Sequence, residues 1–226
     1  MRKISWVGQI LSQGFLVIVG LYVIIPIWGM LRLAFDGSLI ARPTEVRFFP
    51  KEFSLEPLIS VLDRPYQSVQ FAVLLKNSLV VSIGAALMAL VLGASLAYAF
   101  ARFRFPGRKP GLFVLLLTAV IPPIAFATPL YIVLSMLKIR TSLFGLIIVY
   151  TVFALSFCIW NMRAAFQSVP RDLEEAAFLD GAGNLMAFRY VTLPLALPSI
   201  GIAALISFLM AYSEFAIGWL FVDKAQ

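Results

Sequence analysis

The stretch from 168 to 198, SVPRDLEEAAFLDGAGNLMAFRYVTLPLALP, is a polar segment in a chain that is otherwise mostly apolar. Of the chain's 11 acidic residues, four fall within this segment: Asp172, Glu174, Glu175 and Asp180. Pro170 stands where a helix can begin, because the first turn of a helix does not use the N–H that proline lacks. Acids in the first turns are favourable beside the positive end of the helix dipole. The segment therefore predicts a helix that starts beside Pro170.

Small residues shape the rest of this segment. One mildly apolar face of the predicted helix, suited to close contact with another surface, contains Leu173, Ala176, Ala177 and Asp180. Gly181 and Gly183 permit a sharp turn, and a second short helix is predicted from about Asn184 to Val191. A helix–turn–helix of this size has too little apolar surface to fold alone. The residues leave two interpretations open: a solvated connector, or an element that docks on a partner protein.

The composition around this segment is that of an integral membrane protein. Of 226 residues, 62% are hydrophobic and 13% are charged, whereas soluble domains are about half apolar. The chain has no histidine and one cysteine, Cys158, which excludes a His/Cys metal site, an internal disulfide and a histidine-dependent catalytic triad. We expect no catalytic residues and no metal ligands. The net charge of +7 resides mainly between apolar runs, where it orients the chain in the membrane rather than binding nucleic acid.

Apolar runs long enough to cross a bilayer predict an all-α, polytopic helical bundle. A spanning helix needs about 20 mostly apolar residues. Cutting the sequence at its charges gives five spans: about 4–31, 77–101, 111–137, 142–162 and 195–222. We divide the chain into a first span with an extracytoplasmic loop, 1–70, and a transmembrane domain, 71–226. The loop carries several prolines, which argue against one long helix, and a short helix is predicted near Glu56–Leu62.

The orientation follows from the loop 102–110, RFRFPGRKP, which has four basic residues and no acid. The positive-inside rule places such a short basic loop in the cytoplasm. The N-terminus and the loop that contains 168–194 then lie on the cytoplasmic side as well. We therefore expect a multi-pass protein of a bacterial-type cytoplasmic (inner) membrane with a cytoplasmic N-terminus.

The spacing within 168–194 resembles a known family. The pattern is E-A-A, three residues, G, nine residues, an aliphatic residue, any residue, then L-P. It occurs here as Glu175-Ala176-Ala177, Gly181, Val191 and Leu193-Pro194. This pattern between two spans resembles the cytoplasmic loop of permease subunits in binding-protein-dependent ABC importers. The resemblance implies a helical bundle of the type I ABC importer permease kind.

Further motifs are similar to the carbohydrate-uptake branch, and most of all to the shorter permease of maltose-type systems. They are N-S-L at 77–79, A-Y-A-F-A-R-F-R-F-P-G at 97–107, I-P-P at 121–123, P-L-Y at 129–131, V-P-R-D-L-E-E-A-A at 169–177 and D-G-A at 180–182. The resemblance covers roughly 77–221. Two departures stand out. The usual W-N-E-F of the fifth span is Tyr212-Ser213-Glu214-Phe215 here, and the sequence stops at Gln226, before the sixth span usual in the family.

The resemblance implies a set of partners. A second, different permease pairs with this subunit beneath an extracytoplasmic solute-binding protein, and two ABC ATPase subunits on the cytoplasmic side bind ATP and Mg²⁺. The sequence has no G-x-x-x-x-G-K-[ST] motif, so we expect neither an enzyme nor a cofactor of its own. The E-A-A helix rests on one ATPase, and the residues implied in this coupling are Glu175, Ala176, Ala177, Asp180 and Gly181. Glu174 has two interpretations: a partner contact, or a solvated acid at the helix dipole.

The sequence leaves more than one class of transported solute open. The motifs favour a sugar, with a polyol, a glycerol-phosphate ester or another non-sugar solute as the alternative. A secondary transporter or channel is a further alternative, against which stands the lack of an internal repeat or of clustered acids in mid-membrane. Polar side chains within the spans can bind solute or join helices: Tyr150, Ser156, Asn161, Tyr212 and Glu214. Glu214 lies near the outer edge, where an interfacial role is the alternative.

Overall fold

The computed structural model describes residues 6–38, 47–63 and 69–221. The predicted span ends at Ile4 and Val222, and the last residue, Gln226, lie outside the described residues. Within those residues the elements are helices, and the extended pairing between Asp36 and Phe53 is an isolated bridge. The prediction of an all-α membrane protein is confirmed. The chain forms two compact units, Met1–Ala72 and Val73–Gln226.

The first unit contains α1 (Trp6–Ala34) and α2 (Glu56–Asp63). α1 is apolar around its whole circumference, and most of its residues are exposed. A helix that is apolar all round is suited to lipid. It is long and apolar enough to cross a membrane. α2 lies where the sequence predicts a short helix.

A short segment folds against the end of α1 within this unit. The amide of Gly37 donates to the carbonyl of Glu52 at 2.9 Å, and the rings of Phe35 and Phe53 stack at 5.3 Å. The carboxylate of Asp36 accepts from the Ser38 hydroxyl at 2.5 Å. That hydrogen bond, aided by backbone amides, lowers the pKa of the Asp36 carboxyl. The polar contacts fix the chain where it leaves α1.

The second unit holds the remaining helices. They are α3 (Phe71–Arg102, which starts two residues before this unit), α4 (Arg108–Val120), α5 (Ala127–Met136), α6 (Leu143–Ser168), α7 (Arg171–Leu179), α8 (Asn184–Ala187), α9 (Leu193–Leu195), α10 (Leu197–Ser213) and α11 (Ala216–Phe221). A 3₁₀ turn links α4 to α5, and a π-helical segment, Phe188–Thr192, links α8 to α9. Among the described residues, α1, α3 and α6 can each span a membrane, and two bent helix pairs raise the number of candidate spans to five.

The core of this unit is built around α6. α3 presents a row of small residues to it, with Ala85, Ala89 and Ala97 fully buried. A Cβ added to Gly93 lies only 2.9 Å from Met162 Cε and 3.0 Å from the Cβ of Cys158. Small residues let helix backbones approach closely in membranes, so the sequence of α3 dictates its packing distance from α6.

Two predicted spans are broken. The 111–137 segment is not one straight helix, because α4 ends at Val120 and the helical segment that begins at Pro123 leaves at an angle of 100°. Proline disfavours helical backbone at the preceding residue, so Pro122 and Pro123 hold Ile121 and Pro122 extended, at ψ 127° and 133°. The 195–222 segment is also divided: a 78° bend precedes α10, which ends before Glu214.

Candidate functional site

α7 and the turn after it hold the residues implied in coupling. α6 ends at Ser168, and Val169 is extended with ψ 124°, as expected for a residue before proline. Pro170 precedes the first helical residue, Arg171, so a new helix starts after two extended residues. Pro170 and the acids of the first turn account for the start of α7.

The end of α7 is a glycine-dependent turn. The amide of Ala182 donates to the carbonyl of Ala177 at 2.9 Å, and the amide of Gly181 donates to that of Phe178 at 3.1 Å. These two bonds form the Schellman motif, whose C′ residue adopts the left-handed conformation. Gly181 has φ +88°. The turn therefore needs glycine at 181, whereas Gly183 has φ −82° and does not.

The five residues implied in coupling lie together at this end. Glu175, Ala176, Asp180 and Gly181 are exposed and Ala177 is half-buried. Beside them, Leu179 is 90% exposed and Leu185 is 78% exposed. We call these seven residues the loop surface. It combines acidic side chains, small residues that allow close approach, and two large apolar side chains without cover in the described part of the chain.

Glu174 differs from its neighbours, and both sequence interpretations of it are wrong. Its side chain is buried, only 6% exposed, and lies 2.9 Å from the Nε of Arg102. The hydroxyl of Thr192 also donates to the Glu174 carboxylate. The first turn of α7 thus faces the end of α3, and Glu174 makes an internal ion pair instead of meeting water or a partner.

Arg102 joins several elements at once. Its Nη2 donates to the carbonyl of Val169 at 2.9 Å, just past the end of α6, where carbonyls lack partners within the helix. Together, Arg102, Val169, Glu174 and Thr192 form what we call the Arg102 cluster. One guanidinium and one carboxylate thereby connect α3, α6, α7 and the π-helical segment.

An aromatic group packs beside the Arg102 cluster. The ring of Tyr98 lies 4.5 Å from that of Phe188 and 6.1 Å from that of Phe166, and the two phenylalanine rings are 5.8 Å apart. A cavity of about 140 Å³ lies between this group and α7, with Phe178 and Asn184 among its lining residues. The returning part of the loop is therefore held to α3 and α6 by apolar as well as ionic contacts.

The residues considered for a solute pathway are not all brought together. The Tyr150 hydroxyl donates to Glu214 at 2.8 Å. Glu214 also accepts from the backbone amides of Ile217 at 3.1 Å and Gly218 at 3.2 Å. Its carboxylate is therefore satisfied by protein groups, and it fixes the break between α10 and α11.

The other three polar residues have separate surroundings. The hydroxyls of Ser156 and Thr118 lie 2.8 Å apart, which joins α6 to α4. The exposed ring of Tyr212 stacks on Phe208 at 5.5 Å. The amide oxygen of Asn161 is buried and accepts no hydrogen bond from the described residues. Of this group, Asn161 is the one with an unfilled buried acceptor.

Sequence reasoning missed the Arg102 cluster for a physical reason. Arg102 and Glu174 are 72 positions apart, so no local spacing connects them. In the sequence, Arg102 stands out only as a charge of the basic loop and as one letter of the motif at 97–107, and Thr192 is an unspecified position before Leu193-Pro194. A charged residue at the last position of an apolar helix indicates a contact with another polar group, but only the fold shows which residue supplies that group.

Comparisons with known proteins assign the family. A family model described as "Binding-protein-dependent transport system inner membrane component" matches residues 89–223, which include α6, α7 and the whole Arg102 cluster. The chain belongs to this family. It is therefore a transport component of the inner membrane, and the resemblance stated from the E-A-A pattern is confirmed. Among the described residues, no group of His, Cys, Asp or Glu side chains is arranged to hold a metal ion.

Curated relatives within the family are transport permeases. The diacetylchitobiose uptake permease NgcG of Streptomyces coelicolor is 30% identical over 91% of this chain and 66% of its own length. The trehalose permease SugB of Mycobacterium tuberculosis is 35% identical over 83% of this chain and 68% of its own. The maltodextrin permease MdxG of Bacillus subtilis is 25% identical over 92% and 73%. The chain spans about two thirds of the length of these relatives.

A solved structure shows the same fold. It is the crystal structure of a bacterial ABC transporter involved in the import of the acidic polysaccharide alginate. The match has a TM-score of 0.81, covers 100% of this chain and 79% of that one, and has 21% sequence identity. This chain therefore has the helical fold of that ABC transporter chain.

Proposed function

We propose that this chain is a permease subunit of an ATP-driven ABC importer for a sugar or related solute. It takes the solute from an extracytoplasmic binding protein, pairs with a second, different permease, and receives its motion from two ATPase subunits. ATP and Mg²⁺ bind to those subunits. The N-terminus and the loop surface face the cytoplasm.

The observation that carries the proposal is the difference in burial between neighbouring residues of α7. Glu174 is buried against Arg102, whereas Glu175, Ala176 and Asp180 remain exposed around the turn at Gly181. A solvated connector has no need for Leu179 and Leu185 to stand exposed beside them. Exposed apolar side chains rimmed by polar ones are typical of protein interaction sites. The loop surface therefore supports docking on an ATPase.

A carbohydrate is supported by the names of the relatives. They are permeases for diacetylchitobiose, trehalose and maltodextrin. The alternative is a polyol, a glycerol-phosphate ester or another non-sugar solute, and one relative transports a solute that contains glycerol. The sulfoquinovosyl glycerol permease SmoH of Agrobacterium fabrum is 28% identical over 82% of this chain and 63% of its own length. A glycerol-containing solute is thus the second candidate.

Within the membrane, Asn161 is the residue we propose to contact solute. Its amide oxygen is buried and unfilled, and a buried acceptor without a donor costs about 1–3 kcal/mol. A sugar hydroxyl supplies such a donor. Tyr150 and Glu214 bind each other, and Ser156 binds Thr118, so these three have less capacity left for a solute.

The test is purification of the tagged chain from a membrane in which its partner subunits are present. Mass spectrometry then identifies the co-purified proteins and the solute retained by the binding protein. We expect an ATPase, a second permease and a carbohydrate. A secondary transporter brings down no ATPase, and that result overturns the proposal; a retained glycerol phosphodiester in place of a sugar selects the second candidate.

A further inference from the structure

The Arg102 cluster lies between the loop surface and the helices that cross the membrane. Arg102 and Glu174 are both nearly buried, with side-chain exposures of 7% and 6%. A buried ion pair is retained at a high desolvation cost and needs its remaining hydrogen-bonding groups satisfied. Here the carbonyl of Val169 and the hydroxyl of Thr192 satisfy them.

Besides α7 itself, the cluster joins three elements, and a moving α7 has to carry these three along. α3 ends at Arg102, α6 ends just before Val169, and the π-helical segment that holds Thr192 leads through α9 into α10. α7 itself is nine residues long and follows Val169 and Pro170 directly. Without a side-chain link, displacement of α7 can be absorbed by backbone rotation at those two residues.

We propose that Arg102 and Glu174 are positioning residues that make α7 and the ends of α3 and α6 move as one body. The inference rests on the proposed function, since it assumes that an ATPase displaces α7. The loop surface receives the displacement, and the Arg102 cluster transmits it to the membrane helices. Neither residue contacts the ATPase or the solute.

The geometry favours transmission over simple attachment. The Tyr98, Phe166 and Phe188 rings already attach the returning half of the loop to α3 and α6. On α7, the cluster adds a directional contact, because the planar guanidinium donates to Glu174 and to Val169 from one rigid group. Apolar packing allows sliding, whereas this fork fixes the angle of α7.

The experiment uses the whole complex in lipid nanodiscs and reads two quantities. One is the distance between spin labels on α3 and α7, at Leu96→Cys and Asp172→Cys, before and after MgATP with vanadate. The other is the ratio of ATP hydrolysis with and without the binding protein purified with its retained solute. The native Cys158 is fully buried, which directs labelling to the introduced cysteines.

In the otherwise native complex we expect one narrow distance that stays constant on adding MgATP and vanadate. In Arg102→Gln and Glu174→Gln, the ATPases still co-purify, the distance shifts or broadens with nucleotide, and the stimulation ratio falls about tenfold, the scale of a lost charged hydrogen bond. The double variant loses no more than the worse single variant, because both remove one link. Arg104→Gln, an exposed charge two positions away, is the matched control and behaves as the native complex.

Several results overturn the proposal. Native distances and stimulation in the Gln variants show that the pair transmits nothing, and loss of the ATPases from those variants shows a docking role instead. If the Gln variants fail to reach the membrane, Thr192→Val takes their place, because it keeps the ion pair and removes one hydrogen bond. We expect its stimulation ratio to be about threefold lower than the native one. An unchanged stimulation ratio contradicts the proposal. Absence of ATPases from the native complex refutes the proposed function itself.

Discussion

The amide of Ala182 reaches back to the carbonyl of Ala177 at 2.9 Å and closes α7 around Gly181. This bond exists only while Gly181 stays in the left-handed region, at φ +88°. The shape of the loop surface therefore depends on one backbone conformation. We therefore expect substitutions at Gly181 and at Gly183 to differ in outcome, although both residues are glycines of the same loop.

Gly181→Ala should destabilise the turn by about 1 kcal/mol, because alanine adopts a left-handed conformation at a cost that glycine does not have. Gly181→Asp adds a negative charge at the unfavourable end of the α7 dipole. We expect it to abolish solute uptake while the amount of chain in the membrane, measured by immunoblot, stays normal.

Gly183→Ala is the control for these variants. Gly183 has φ −82°, and a Cβ at that position meets no atom within 4 Å. Uptake by this variant should match that of the native chain. If the Gly181→Asp variant takes up solute at the native rate, the loop surface has no part in the mechanism.

Tyr150→Phe should destabilise the second unit without a change of shape. It removes the hydroxyl that donates to Glu214 at 2.8 Å, and a hydrogen bond to a charged group contributes about 1.5–3 kcal/mol. We expect a lower midpoint of thermal unfolding in detergent. Tyr212→Phe is the matched control, because the Tyr212 ring is exposed and its stacking on Phe208 does not need the hydroxyl. Equal midpoints for the two variants contradict a structural role of the Tyr150–Glu214 bond.

Asn161→Leu tests the proposed solute contact. Because Asn161 Oδ1 has no hydrogen-bond partner in the described residues, its removal costs no such bond within the chain. We expect an increased KM for uptake and an unfolding midpoint that is equal to or above the native one, because the buried acceptor without a donor is gone. Ser156→Ala should lower the unfolding midpoint and leave the KM unchanged, since it breaks the 2.8 Å contact with Thr118 at a cost of about 1 kcal/mol. A lowered midpoint and a native KM in Asn161→Leu assign Asn161 to packing.

Gly93→Val tests the close contact of α3 with α6. A Cβ at 93 lies 2.9 Å from Met162 Cε and 3.0 Å from the Cβ of Cys158, and overpacking typically costs about 1–3 kcal/mol. Thermal unfolding should start at lower temperature. Gly201→Ala on α10 meets no atom within 4 Å and should leave the midpoint unchanged or raise it slightly. A native midpoint for Gly93→Val refutes the close packing.

The fold was predictable where local physics decides it. Long apolar runs identify α1, α3 and α6, and Pro170 with Gly181 delimits α7. What a single sequence leaves out depends on distant partners. The Pro122–Pro123 pair indicates a break but not its angle of 100°. Tyr150 and Glu214 are 64 positions apart, and their pairing became visible only in the folded chain.

The same distinction separates Glu174 from Glu175. Both are acids in the first turns of one short helix, and helix-dipole arguments treat them alike. Helical periodicity turns adjacent residues about 100° apart, so one can face the bundle while the other faces outward. Which of them faces Arg102 depends on where the end of α3 lies, and α3 is far from α7 in the sequence.

Cross-linking from the loop surface tests the central claim most directly. A photoreactive label on Ala176→Cys should form an adduct with an ATPase subunit in the assembled complex, identified by mass spectrometry. The same label on Gly201→Cys, an exposed position on α10, serves as the control and should give no ATPase adduct. An adduct of the 176 label with lipid alone, or with the extracytoplasmic binding protein, contradicts the proposal that motion enters this subunit through the loop surface.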